Sequence, residues 1–275
     1  MIVDTHTHLF ADDRARFPLS PGRTYDPRTP GSAELLRAEM DAARVERAVV
    51  ISPYVYRWDN RYVMDCWQRF GDWLAVAVLV DPRAPDGPDT LRRLVADGAS
   101  GLRIHGDING LGPYDDPATT PLWRAAADLN VPLDACAALE EYPEIERRVR
   151  ELPALRVILD HCGYIGGRWN PTRVDLEPVL ALARYPNVYA KLTFLGSVPD
   201  SPWPHANAHW MVRRILDAYG PERCLWGSNF PTKQYNPSAT YAQHVDVFRT
   251  HLELTPDERR WVMGGTAQTL WKWRT

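Results

Sequence analysis

The sequence predicts a single α/β domain over residues 1–275, a (β/α)8 barrel, and three observations carry that prediction. Eight short runs are rich in Val, Ile and Leu, helical patterns alternate with them, and polar residues gather at one end of the runs. The runs are Ile2–Phe10, Arg47–Tyr54, Trp73–Asp81, Ser100–Gly106, Val131–Ala138, Leu155–Gly163, Val188–Gly196 and Cys224–Pro231. Their length and turn-residue boundaries suit strands. Between them fall Ala33–Val45, Val63–Phe70, Thr90–Ala96, Leu122–Leu129, Tyr142–Glu151, Leu176–Tyr185 and Trp210–Tyr219, with Tyr241–His251 and Asp257–Trp273 closing the chain. Runs apolar on both faces and separated by helical crossovers imply a parallel sheet covered on both sides.

The ends of the strands differ in kind. One side reads Ala48-Val49-Val50 or Arg156-Val157-Ile158, whereas the C-terminal side carries His6, His8, Arg103, His105, Asp134, Asp160, His161, Lys191 and Asn229. Barrels place chemistry at that end. The segments that follow, Ala11–Pro30, Asp107–Pro121, Tyr164–Arg173 and Ser197–Asn207, are long and rich in Pro, Gly and aromatics, as a wall around the barrel mouth would be.

Composition excludes several classes. Lys+Arg 32 against Asp+Glu 35 gives a net charge of −3, with no basic run to neutralise phosphates, so nucleic acid is not an expected partner. No stretch approaches the roughly 18 to 20 apolar residues of a membrane span. The start Met1-Ile2-Val3-Asp4-Thr5-His6 lacks the basic and apolar regions of a secretory leader, so the expectation is a soluble, cytoplasmic protein. Cys66, Cys136, Cys162 and Cys224 are scattered without C-x-x-C spacing and read as buried thiols. A homo-oligomer is compatible with all of this.

His6-Thr7-His8 ends the first strand, and side chains at i and i+2 share a face. The two imidazoles either grip one metal ion or oxyanion, or are satisfied by neighbouring carbonyls. With this pair, Leu159-Asp160-His161-Cys162-Gly163, the run Gly220-Pro221-Glu222-Arg223-Cys224-Leu225-Trp226-Gly227-Ser228-Asn229-Phe230-Pro231 and the terminal Gly264-Gly265-Thr266-Ala267, the sequence resembles the amidohydrolase superfamily. The similar branch is the amidohydrolase-2 group of lactonases and metal-dependent decarboxylases.

The resemblance implies that His6 and His8 hold a divalent cation, Zn or Mn, or in metal-free lactonases help hold a carbonyl. It implies that His161 contacts substrate or water. Two strands, the eighth and the fifth, depart from the pattern. Asn229 stands where the family usually has an Asp that ligates metal and takes a proton from water, and an amide can do neither well. Asp134 and Cys136 stand where decarboxylase-type members carry a metal-binding His. A metal is therefore expected to be weakly held or absent.

The other candidates follow from alternation along strands. Arg103 and His105 share the inward face of the fourth strand; Arg103 pairs with an internal carboxylate or awaits an anionic substrate, and His105 is a candidate for proton transfer. Asp134 is a candidate base or an ion-pair partner, with Cys136 on its face as packing. Lys191 is a substrate contact, a buried cation or a surface residue, and Asp160, alternating away from His161, anchors backbone. His205 and His209, four apart, form a second metal site or merely start a helix, with Asn207 as its cap. Tyr54, Tyr56, Trp58, Tyr114, Tyr164, Trp169 and Trp203 fall in or near the mouth loops and predict an aromatic pocket, with Tyr54, Trp58, Trp169 and Trp203 as substrate contacts.

The expected function is a hydrolase of a small, carboxylate-bearing cyclic ester, with imidazoles polarising the carbonyl and water as nucleophile. The catalytic candidates are His161, Asn229, Asp134 and His105. The alternatives are a metal-dependent decarboxylase of an aromatic or unsaturated acid, and a biosynthetic barrel that has lost its base.

Overall fold

Eight parallel strands hydrogen-bond in sequence order: β1 (Val3–Thr7), β2 (Arg47–Ile51), β3 (Leu74–Leu79), β4 (Gly101–His105), β5 (Leu133–Cys136), β6 (Val157–Leu159), β7 (Val188–Lys191) and β8 (Cys224–Leu225). A computed structural model describes residues 1–26, 28–165 and 175–274. The barrel closes where β1 meets the chain after β8. Thr5 N donates to Trp226 O at 3.2 Å, Asn229 N to His6 O at 2.9 Å and His8 N to Phe230 O at 2.8 Å. Every expected strand is present but shorter at its C-terminal end, because the chain leaves the ladder there to form the mouth.

Helices α1 (Ala33–Ala42), α2 (Arg61–Phe70), α3 (Gly87–Ala96), α4 (Thr120–Asp128), α5 (Tyr142–Glu151), α6 (Glu177–Ala181) and α7 (His209–Tyr219) fill the crossovers. Their starts are legible: Ser32 caps α1 through its hydroxyl, and Pro lies in the first turn of α3, α4, α5 and α6. Beyond β8 come α8 (Thr232–Tyr235), α9 (Tyr241–Asp246), α10 (Pro256–Arg260) and α11 (Thr266–Leu270). The expected long terminal helix is broken at Trp261–Gly265 by a wide π turn in which Gly264 and Gly265 sit. No helix among the described residues is long and apolar enough to cross a membrane.

Two apolar layers set the position of the site. The larger lies between strands and helices. The smaller fills the lower barrel with Val3, Val49, Ile51, Ala75, Ala77, Ile158 and Leu225, plugged from below by Leu270 and Trp271. Gly101 admits that plug, since a Cβ there would come to 3.0 Å from both the Ala77 Cβ and the Trp271 indole nitrogen. Polar inward side chains are thereby confined to the layer above, at the strand C-termini.

Candidate functional site

Immediately above the apolar plug lies a buried ion cluster. Strand pairing sets Arg103 opposite Asp134 and His105 opposite Cys136, so β4 and β5 send both pairs inward together. Asp160 follows the same inward parity as Ile158 and meets three partners: Lys191 Nζ at 3.0 Å, Arg103 Nε at 2.9 Å and His6 Nδ1 at 3.4 Å. Lys191 also donates to Asp134 Oδ1 and lies 3.4 Å from His6 Nδ1. Burial works against the charge on Lys191, but Asp134 and Asp160 outweigh it and raise its pKa. Burial likewise opposes charge on Asp160, yet Lys191 and Arg103 hold its carboxyl well below the usual range. Asp134, with fewer partners, is pushed up by burial against the pull of the Lys191 ammonium that it pairs with.

Above this cluster opens a cavity of about 550 Å³, lined among others by His8, Arg103, His105, His161, Asn229, Tyr54 and Tyr164. The described residues that line it include two arginines and no Asp or Glu. Its imidazoles are neutral. Burial, then the Arg103 charge, lowers His8 to about 3, and burial takes His161 to about 3 against the pull of Asp160. Burial and Arg103 hold His105 well below its ordinary range.

Hydrogen bonds assign the ring protons. His8 Nδ1 lies 2.8 Å from the Ile51 carbonyl, which can only accept, so the proton sits on Nδ1 and Nε2 is an acceptor. His105 Nδ1 lies 2.6 Å from the Asn109 amide nitrogen, which can only donate, so His105 Nε2 carries the proton. Asn229 Nδ2 donates to the Thr193 carbonyl at 2.9 Å, leaving Oδ1 as its acceptor. The cavity is therefore polarised: the donor Arg103 on β4, and acceptors His8 and Asn229 where β1 meets β8, while the Nε2–H of His105 is buried without a partner.

Backbone geometry supports two of these groups. Asn229 has φ 58°, a left-handed conformation that Asn tolerates better than most residues. His161 has φ 55° and begins a left-handed turn through Tyr164, with its Nδ1 2.6 Å from Thr193 Oγ1. Because β6 stops at Leu159, strand alternation does not govern His161, and both Asp160 and His161 reach the barrel interior. The expectation that Asp160 merely anchors backbone is corrected on that ground.

Other expectations are corrected as well. His6, Asp134 and Lys191 are fully buried beneath the cavity and are not among its lining residues, and Lys191 donates to Asp134 there. Trp58 touches Tyr54 edge-on at 6.3 Å but lines a separate surface depression with Met64 and Phe17. Trp203 packs edge-on against His251 and donates its indole N–H to Gln243 O at 3.2 Å, away from the cavity. Tyr56 and Tyr114 are buried and spend their hydroxyls on backbone, and Trp169 lies outside the described residues. Among the described residues the pocket wall is thus polar more than aromatic. His205 and His209 bond separately to Ser201 O and Pro204 O and form no joint site, and Asn207 caps no helix but binds Ser201 and Asp200. Cys136 lines the cavity, yet burial raises its thiol to about 11.

Arg23, Asn109, Ser197 and Tyr235 also line the cavity and were not singled out from sequence. Arg23 stacks over Tyr54 with its guanidinium 4.8 Å from the ring centroid, and the Tyr235 ring lies 5.1 Å from that of His8. The Pro-rich composition of the loop around Arg23 is a signal of a mouth loop, but which of its arginines turns inward is not periodic.

His6, Asp160 and His161 offer ligand atoms all within 4.8 Å of one another, a possible metal-holding group. Its charge does not fit a resident dication. The only carboxylate in the group, Asp160, already faces Lys191 and Arg103, and position 229, where the resemblance implies a second carboxylate, holds the neutral Asn229.

Comparison with known proteins agrees with this architecture. The family model described as amidohydrolase matches residues 3–273. The L-fucono-1,5-lactonase of Burkholderia ambifaria is 28% identical over 244 residues, covering 81% of this chain and 79% of that protein. The 4-sulfomuconolactone hydrolase of Hydrogenophaga intermedia is 24% identical over 260 residues, covering 94% and 83%. A Pseudomonas putida structure proposed as a 2-pyrone-4,6-dicarboxylic acid hydrolase superposes with a TM-score of 0.82 at 20% identity, covering 98% and 96%. With a barrel in the same strand order as its sequence and a match from Val3 to Trp273, the chain belongs to the amidohydrolase family.

Proposed function

We propose that this chain is a hydrolase of small cyclic esters that carry an acid group. The observation that carries the reading is the polarised lining of the cavity, carboxylate-free among the described residues, with the donor Arg103 on β4 facing acceptors at the β1–β8 seam. The relatives that hydrolyse lactones support the substrate class. Arg103 takes the electron-rich side of the substrate: the ring carbonyl, on which negative charge grows during attack, and its carboxylate. His8 Nε2 and Asn229 Oδ1 are both acceptors, so a water that donates one proton to each turns a lone pair toward the carbonyl carbon. Tetrahedral collapse breaks the ring C–O bond. The alkoxide takes a proton from the imidazole that accepted one from water, leaving a hydroxy acid. At neutral pH the His8 imidazole is unprotonated and free to accept, but burial lowers it to about 3 and makes it a weak base, so the attack also needs Arg103 to stabilise the charge growing on the carbonyl.

No step in this sequence uses a metal, since the donor set does not fit a dication. The decarboxylase alternative, which relies on a firmly bound ion, is disfavoured by the same charge count. The test is a panel of sugar lactones, muconolactones and carboxylated pyrones, with acid release followed by a pH indicator. Turnover of an acid-bearing lactone that persists in chelator supports the proposal. Absence of turnover across the panel, or activity that requires added metal, rejects it.

A further inference from the structure

The Lys191 ammonium is surrounded in the way a metal ion is surrounded. Three side chains from three strands converge on it: His6 Nδ1 at 3.4 Å from β1, Asp160 Oδ1 at 3.0 Å from the end of β6, and Asp134 Oδ1, which accepts its hydrogen bond, from β5. All four side chains are fully buried. From below, the Trp271 ring centroid lies 5.7 Å from Nζ and offers a π face to a cation. Two further polar atoms here, His6 Nε2 and Asp134 Oδ2, are buried without a hydrogen-bond partner.

The charges balance without any ion: Lys191 and Arg103 against Asp134 and Asp160. A dication entering the cluster would add two uncompensated positive charges in a fully buried place, which is strongly unfavourable. To be accommodated it must displace the ammonium, because Nζ occupies the space between the carboxylates of Asp134 and Asp160 that would bind the ion. We propose that Lys191 is a built-in substitute for a metal ion, and that His6, Asp134 and Asp160 form a latent metal site which its ammonium keeps closed. The assignment of Lys191 stands apart from the lactonase reading, because it concerns which cation fills the barrel floor and not which ring is opened above it.

The test is metal content. Wild type, Lys191→Ala and Lys191→Met are purified without chelator, dialysed against zinc chloride and then against zinc-free buffer, and analysed for zinc by atomic emission, with melting followed in parallel. Wild type is expected to hold far less than one zinc per chain and to melt at the same temperature with and without zinc. Lys191→Ala removes the charge and opens its space; it is expected to hold about one zinc per chain and to be stabilised by it, as any ligand selective for the native state would stabilise it. Lys191→Met fills the space with an uncharged stem and is expected to take up none. Stoichiometric zinc in wild type overturns the proposal, as does a folded Lys191→Ala that binds none. A Lys191→Ala chain that is unfolded and not rescued by zinc also overturns it, because an ion able to enter the site would restore the missing charge. Zinc in Lys191→Met would place the binding elsewhere and overturn it too.

Discussion

Asp160→Asn is the most informative single change, because it removes one charge while keeping the side chain's shape. In the native protein this fully buried carboxylate faces Lys191 Nζ at 3.0 Å, Arg103 Nε at 2.9 Å and His6 Nδ1 at 3.4 Å. Without it, two buried cations face Asp134 alone. Removing one member of a buried ion pair costs about 3–5 kcal/mol, a large part of a typical total stability of about 5–15 kcal/mol. At about 2–4 °C per kcal/mol for large domains, the melting temperature should fall by about 6–20 °C. Urea unfolding followed by tryptophan fluorescence at pH 7 gives the free energy directly, provided the slope with denaturant is unchanged. A second chain, Asp160→Asn with Arg103→Met, restores the balance between Lys191 and Asp134 and should recover part of the loss. A single-variant cost below about 1 kcal/mol, or a double variant in which the two costs simply add, would refute an ionised anchor coupled to Arg103.

Four further outcomes follow from the site. His8 and His161 are both held near about 3, so their neutral forms are favoured by the fold; the unfolded chain takes up protons below its ordinary 6.5. That stability is fully present above 6.5 and is lost as pH falls toward 3, each histidine costing about 3 kcal/mol two units below 6.5. Equal urea midpoints at pH 7 and pH 4.5 would contradict it. Asn229→Asp removes the donor that binds Thr193 O at 2.9 Å and sets a second acceptor against that carbonyl. Lactone kcat/KM at pH 7 should fall by about 5–160-fold, from about 1–3 kcal/mol for a broken buried hydrogen bond, and an unchanged or faster rate would make a carboxylate base preferable there. Arg103→Met should raise KM for an acid-bearing lactone by about 10-fold or more while affecting an uncharged lactone less, and equal effects on both would remove Arg103 from substrate binding. Cys136→Ser should leave turnover within about twofold, since a thiol held near about 11 is not a nucleophile at neutral pH; loss of activity to a thiol reagent in wild type but not in this variant would say otherwise.

The sequence by itself determined the barrel and the strand ends on which the polar residues gather. Short β-branched runs buried on both faces can only pack as a parallel sheet with helical crossovers, and period-two alternation sent Arg103 and His105 inward together. It also located the weak point of any water-activating scheme, because an amide at position 229 lacks a base whatever surrounds it.

The tertiary structure alone decided the rest, for two physical reasons. Alternation ends where the ladder ends: beyond Leu159 the chain turns left-handed at His161, so Asp160 and His161 both face the interior although their sequence parity separates them. Partnership, moreover, is a property of the closed barrel. Lys191 and Asp134 are two strands apart in the sheet, and only the curvature of the barrel brings the ammonium among His6, Asp134 and Asp160. The loops were least legible, since no periodicity says which aromatic ring in a Pro-rich loop turns inward. Tyr54 and Tyr235 reach the cavity, whereas Trp58 and Trp203 satisfy packing elsewhere.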